Sequence, residues 1–486
     1  MEDRAIKGVP WTMLAFGSAK LITLLTTVVL ARLLEPTDFG LMALALLAFG
    51  LFGLIRDLGL GGTVVLRQDY DDRALGTVLT LMLIAAVVVM LLVIATAPLA
   101  AALLNDSRIT DILMVLSLVS VFSMLGGFYD CLLQRELEFR KRFAGQFAQS
   151  ASFAATGIGL AAAGVGVWSL VIAQIASMIV YSGILAAVSP RLIRPRFDRD
   201  TAKDAFSTGG GFLAQGSLGW LEQNIDYLAV GRLLGTTQLG FYSMAYRLSE
   251  LTHLGIADPI AKVTFPGFAR MHFQGQEVTR AYLAVLRVVA LVTAGIGAVL
   301  SGAADPFTRA LLGSEWLPMI GPLTVLGIWA AFKPLEATTG WLLNSMGSAA
   351  LLAKVTAVLL VPTAPLLILA ATSSTTLVAY VILGQTIVAL AARSVLVERE
   401  VGVSLSEHVR VLWPIAVAGA FAWIASRGVA EGSEAIAPTP SLVLSAIAGF
   451  GAFAAVISLI RPDTVPFALR QVARVLRRQP AAAAGD

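Results

Sequence analysis

A single cysteine, Cys131, in 486 residues leaves no disulfide framework and no thiol cluster for a metal. The three histidines, His253, His272 and His408, stand far apart and match no metal-ligand spacing. Charge is scarce, at 14% of residues against about 25% in a soluble domain. No GxxxxGK[ST] loop occurs, so this chain carries no phosphate-loop ATP motor of its own. Large polar loops are missing as well: the first outer loop is EPTD, and the longest, near Glu431 to Ser441, has few polar groups. A glycosyltransferase or polymerase site needs more room than that, so a non-enzymatic role is expected. No nucleic-acid partner is expected.

Apolar residues fill the space, at 57% of the chain with a mean hydropathy of +0.82. Since roughly 20 apolar residues cross a bilayer, the chain reads as an all-α polytopic membrane protein. Fourteen apolar stretches follow one another. They are Pro10–Leu34, Phe39–Leu60, Leu75–Leu104, Ile109–Leu132, Phe143–Ala163, Val165–Val188, Phe206–Leu233, Leu239–Val263, Tyr282–Ala303, Trp316–Leu342, Ala349–Ala371, Thr375–Ala392, Val409–Val429 and Leu442–Ile460. The opening MEDRAIKGVPW precedes a run too long for a signal peptide, so the first stretch is expected to stay as a helix. With the N-terminus inside, cytoplasmic segments hold 23 Lys and Arg, Arg393 among them, against 5 outside. That asymmetry places both termini in the cytoplasm, and the expected location is a bacterial inner membrane.

An internal repeat organises the chain. ARLLEPTDFGLMALA (Ala31–Ala45) aligns without gaps on GRLLGTTQLGFYSMA (Gly231–Ala245), an offset of 200, with 6 of 15 residues identical. An even number of spans separates the copies, so the expected halves are parallel repeats, two six-helix lobes about a central cleft. The boundaries are 1–200 for the N-lobe and 201–400 for the C-lobe. Residues 401–486 hold two extra helices and a cytoplasmic tail, in which Arg470, Arg474, Arg477 and Arg478 share a face suited to anionic headgroups. That tail is an anchor or a docking surface for partner enzymes.

Taken together, LARLLEPTDFGLMALA, LLQRELEFRKRF, GVGVWSLVIAQ, NIDYLAVGRLLGTTQLGFYSMAYRL, KVTFPGFARM and LLGSEW resemble the polysaccharide-transporter family. These are Wzx-like lipid-linked oligosaccharide flippases and exopolysaccharide exporters of the multidrug/oligosaccharidyl-lipid/polysaccharide exporter superfamily. The resemblance implies alternating access and a polyprenyl-diphosphate-linked glycan as cargo. Membrane lipids surround such a monomer, and a glycan polymerase and glycosyltransferases are its candidate partners. A multidrug-type cation-coupled antiporter of the same superfamily is the alternative.

Charges inside a bilayer each need a reason, because one costs about 2.5–3.5 kcal/mol at the centre on insertion scales. Lys20 lies near the middle of the first span, and Glu222, Asn224 and Asp226 lie on the seventh. Arg247, Glu250 and His253 lie on the eighth. Lys20 and Arg247 are the expected substrate cations, with Arg56 and Lys333 as gate or vestibule residues that could equally snorkel to the interface. Asp226 with Arg247, or Arg247 with Glu250, could also be purely structural ion pairs. Trp220, Tyr227 and Tyr246 sit deep enough to stack on sugar, whereas Trp11, Trp316 and Trp413 fit an interfacial belt. No cofactor is expected. The coupling ion is H+ or Na+, handled by Glu222, Asp226, Glu250 and Asn224, with Glu222 favoured and Asp226 the expected partner of Arg247.

Overall fold

The computed structural model describes residues 22–57, 60–67, 69–136, 138–433 and 435–462, with the side chains at 54–57, 66, 139, 205–218 and 262–263 outside the described ones. Among the described residues every regular element is helical. Among the described residues ten segments are long and apolar enough to cross a membrane. The chain divides into two compact units, Met1–Ser243 and Met244–Asp486.

The first unit holds α1 (Ile22–Leu33), α2 (Pro36–Asp57), α3 (Leu60–Leu66), α4 (Asp72–Leu104), α5 (Arg108–Leu116), α6 (Val119–Arg135), α7 (Phe139–Ala162), α8 (Val167–Val188) and α9 (Arg199–Leu233), and the start of α10 (Thr236–Thr252). Local chemistry sets the boundaries. Pro36 opens α2, where its missing N–H is not needed. Asp71 caps α4 by accepting from the Arg73 and Ala74 amides at 3.1 and 2.8 Å. Asn105 ends α4 in the left-handed region at φ 56°, which an asparagine tolerates. Along α4, Leu75, Leu79, Met82, Ala86, Val89 and Val93 are buried, while Ile84, Val88, Leu91 and Leu99 are exposed on the other side. An apolar residue on every face suits a helix between protein and lipid. The stretch read as one span from Ile109 to Leu132 lies within the single apolar segment Arg108–Arg135, whose helix is broken at Ser117 and Leu118 into α5 and α6.

The two copies of the repeat meet within this unit. Thr37 Oγ1 and Thr237 Oγ1 share a hydrogen bond at 2.9 Å. Three residues on, a Cβ at Gly40 would lie 1.8 Å from the Thr236 carbonyl oxygen, and one at Gly240 would lie 1.9 Å from that of Pro36. Backbone therefore rests on backbone, reciprocally, and only glycine fits at either position.

One end of the unit gathers basic loops into an ion network. Arg67 pairs with Asp204, which also accepts from Tyr70 Oη at 2.7 Å, and Arg135 donates to the Tyr70 carbonyl at 2.9 Å. Arg191 bridges Asp72 at 3.1 Å and Glu136 at 2.9 Å. The segments 67–72, 135–136 and 191–204 thus share one end of the helices. Burial, reinforced by the hydrogen bond to the Asp204 carboxylate, pushes the Tyr70 phenol up to about 12.

In the second unit α10 continues through a π-helical turn, His253–Ala257, into α11 (Asp258–Phe273). Then come α12 (Thr279–Gly302), α13 (Ala304–Phe307), α14 (Ile320–Ser345), α15 (Ala349–Ala371), α16 (Thr375–Val401), α17 (Leu405–Gly432) and α18 (Pro438–Ile460). Its core includes Tyr282, Leu286, Val289, Leu342, Leu343, Val397 and Ala418. A reciprocal capping box between Ser404 and Glu407 starts α17. His408 is satisfied in this core, with Nε2 bonded to Tyr282 Oη and Nδ1 to the Ser404 carbonyl, each at 3.0 Å.

Arg393 is corrected by the structure. It was expected in a cytoplasmic loop after Ala392, but α16 runs on to Val401 and buries it. A carboxylate on the neighbouring helix draws it in.

Candidate functional site

That carboxylate is Glu336 of α14, 1% exposed. Lys333, one turn earlier on the same helix, reaches it at 2.8 Å, and Arg393 Nη1 pairs with its other oxygen. Arg393 also donates to the Glu336 carbonyl at 3.3 Å and lies 3.5 Å from Thr356 Oγ1 of α15. Two cations face one carboxylate. Glu336 lies nine residues, about 14 Å, before the end of α14, well within a helix apolar enough to span.

The π-helical turn faces the same cluster. His253 Nε2 stands 3.6 Å from Asp258 Oδ1, its ring stacks on Trp341 of α14 at 6.2 Å, and it lies within electrostatic reach of Lys333 and Glu336. A π-turn adds one residue to the helix and rotates the residues beyond it, an irregularity common at functional sites. Above it, Tyr246 stacks on Trp329 of α14 at 4.9 Å, and Trp329 Nε1 donates to Thr386 Oγ1 of α16 at 3.0 Å. Thr252 binds the Ala330 carbonyl at 3.0 Å. Arg247 is exposed and forms no ion pair with a described residue of its own unit, and Glu250 is half-buried.

The polar residues of α9 belong to the first unit. Asp226 is buried and accepts from Tyr242 Oη at 2.6 Å, and the Tyr227 ring meets that of Tyr242 edge-on at 5.8 Å. Asn224 Nδ2 donates to the Trp220 carbonyl at 2.8 Å, closing one helical turn. The Trp220 indole lies against α2, where a Cβ at Gly50 would be 2.9 Å from its Nε1. Glu222 is half-buried. Lys20 lies outside the described residues, and so does the side chain of Arg56.

Of the residues singled out from sequence, the structure brings Lys333 into the buried cluster and seats Tyr246 on the neighbouring helix. Sequence reasoning passed over Asp258 and took Arg393 for a loop residue. A signal for Arg393 existed: an arginine after eighteen apolar residues, with Lys333 and Glu336 at i,i+3 two spans earlier.

The profile of the polysaccharide biosynthesis protein family matches residues 29–321. The chain is 25% identical over 356 residues to the teichuronic acid biosynthesis protein TuaB of Bacillus subtilis (strain 168), covering 72% of this chain and 73% of that protein. It is 23% identical over 337 residues to the lipopolysaccharide biosynthesis protein WzxC of Escherichia coli (strain K12), covering 68% of each. The fold superposes on the lipid II flippase MurJ in an inward closed conformation with a TM-score of 0.78 at 11% identity, over 94% of this chain and 99% of that one. An inward-facing MATE multidrug transporter gives 0.59 at 18% identity, over 81% and 94%.

Proposed function

Because the chain belongs to the polysaccharide biosynthesis protein family, a multi-pass membrane family with transport roles, we propose that it moves polyprenyl-diphosphate-linked oligosaccharide, or a related exopolysaccharide, across the bacterial inner membrane. It does so by alternating access, without covalent chemistry. The ten apolar segments, together with α1, α7, α9 and the run from α10 to α11, make fourteen crossings in two six-helix lobes plus α17 and α18. Both termini are cytoplasmic, and the basic loop end of the first unit faces inward.

The observation that carries this reading is the pair of cations, Lys333 and Arg393, gathered at the buried carboxylate of Glu336. A diphosphate leaving water needs fixed cations to replace its solvation, and a buried cluster that holds two of them offers such groups. A cationic drug would be repelled there, which disfavours a multidrug-type antiporter. Arg247 and Lys20 add further cations for the diphosphate, Arg56 serves at the gate, and Trp220 and Tyr246 offer faces for sugar. Glu222, with Asp226, Asn224 and Glu250, exchanges the coupling ion, H+ or Na+. A glycan polymerase and glycosyltransferases act beside it.

The test is glycan export in cells and in proteoliposomes carrying Lys333→Met or Arg247→Ala. Each variant should insert and accumulate normally yet lose export. Wild-type export by both would remove the anion-binding reading, and restored resistance to cationic dyes by the wild-type protein would favour the antiporter. For coupling, Glu222→Gln should lose the response to an imposed pH or sodium gradient, and equal rates under both would exclude that residue.

A further inference from the structure

A second cationic site lies in α12, α17 and α18, apart from the buried cluster. Arg287 of α12, Arg410 of α17 and Arg461, the residue after α18, line one small pocket with Val411, Pro414, Ile415 and Ile457. Arg461 Nη2 donates to the Arg410 carbonyl at 3.4 Å, which ties the end of α18 to the start of α17. Arg410 is five residues into α17 and Arg461 directly follows the last residue of α18, so both guanidinium groups stand at helix ends, the level of lipid headgroups.

Directly beside them is a cavity of about 340 Å³ between α12, α14 and α17. Its lining is apolar, including Ala294, Ala298, Phe332, Leu335, Gly419 and Trp423. Ile415 lines both the cavity and the arginine pocket, so the two adjoin. A group of arginines with a dry apolar recess beside it has the chemistry of an amphiphile's complement: phosphate to guanidinium, hydrocarbon to cavity. A free phosphate would leave the recess empty, and a neutral lipid would bring the arginines no net negative charge.

We propose that Arg287, Arg410 and Arg461, with the adjoining cavity, form a binding site for an anionic phospholipid of the surrounding bilayer, its phosphate held by the arginines and an acyl chain lying between α12, α14 and α17. α17 and α18 lie beyond residue 321, where the family match ends.

Native mass spectrometry of the full-length protein tests this with dioleoylphosphatidylglycerol against dioleoylphosphatidylcholine. The wild type should retain phosphatidylglycerol preferentially. Each arginine near a charged surface is worth about fivefold, so Arg410→Gln with Arg461→Gln should weaken that retention about 25-fold, to the level of phosphatidylcholine. Gly419→Leu should lower retention with the arginines intact, because the only neighbours of its Cβ are Ala294 atoms 3.9 and 4.0 Å away and the new side chain projects into the recess. Should Gly419→Leu fail to fold, the arginine pair, set at helix ends, still decides the matter. Equal retention by the double variant and the wild type would overturn the site. So would displacement of the lipid by equimolar undecaprenyl phosphate, which would assign the pocket to the cargo, or by inorganic phosphate, which would make it an anion site without an acyl chain.

Discussion

Replacing Glu336 by glutamine separates the structural part of the buried cluster from its cargo-binding part. The carboxylate is 1% exposed and holds Lys333, 24% exposed, at 2.8 Å and Arg393, 10% exposed, on its other oxygen. At an effective dielectric near 20 a 2.8 Å pair attracts by about 6 kcal/mol, much of it offset by desolvation. Glutamine takes from both cations the carboxylate they share. Removing one partner of a buried pair costs about 3–5 kcal/mol, so Glu336→Gln should lose about that much. Lys333→Met leaves Glu336 paired with Arg393 and should cost about 1 kcal/mol or less, since the remaining buried pair keeps both its partners. Unfolding by sodium dodecyl sulfate in mixed micelles measures both, with glycan export in parallel. Glu336→Gln should be unstable, whereas Lys333→Met should be stable and inactive. A Glu336→Gln protein as stable as wild type, or a Lys333→Met protein less stable than Glu336→Gln, would refute the charge argument.

At the repeat contact, Gly40→Ala or Gly240→Ala puts a methyl group less than 2 Å from a carbonyl oxygen and should cost about 3 kcal/mol or more, seen as loss of monodisperse protein. Gly62→Ala in α3, with nothing within 4 Å, should be neutral or gain about 0.5–1 kcal/mol, and equal behaviour of all three would discount the crossing. The Tyr70 phenol should ionise near pH 12 by ultraviolet difference titration against Tyr70→Phe, and nearer 10 when Asp204→Asn removes the acceptor charge. Because its folded value is raised, the stabilisation it gives is complete below about pH 10 and fades between there and about 12; a midpoint near 10 in the wild type would contradict the packing. In a Cys131→Ser background, cysteines at Arg140 and Arg194 should label from the cytoplasm and those at Asp38, Gly235 and Ala435 from outside. Ala435 replaces Ser433 for this purpose, since Ser433 is buried against Ser441 at 2.5 Å; an outward label at Arg194 would overturn the topology.

Hydropathy located the helices well where one apolar run makes one helix. The run from Ala349 to Ala371 coincides with α15, and the run from Trp316 to Leu342 lies inside the segment Ser314–Ser345. Pairwise likeness at an offset of 200 marked two segments that touch at Thr37 and Thr237. Period and composition carry no register between helices, which is why Arg393 read as the edge of a loop. Only the facing carboxylate of Glu336, 57 residues away, explains a charge carried into the helix. The π-turn at His253 was equally invisible, since one inserted residue leaves composition unchanged and only rotates the helix beyond it. The tyrosines and tryptophans were legible as a set, but which of them stack on protein depends on neighbours no periodicity reveals. Tyr246 found Trp329 and His253 found Trp341.

The bare crossing at Gly40 and Gly240 also sets a mechanical ratio. At Gly40 and Gly240 backbone meets backbone with no side chain between, so α2 tilts most readily about that point, whereas sliding along it would break the Thr37–Thr237 bond. From Gly40 to the last residue of α2, Asp57, the helix extends about 26 Å, so each degree of tilt moves its far end by about 0.45 Å. A fulcrum near one tip of a long rod converts sub-ångström adjustments at the threonine pair into displacements of several ångströms at the other tip, and the Trp220 indole against Gly50 is a contact that such a tilt must move.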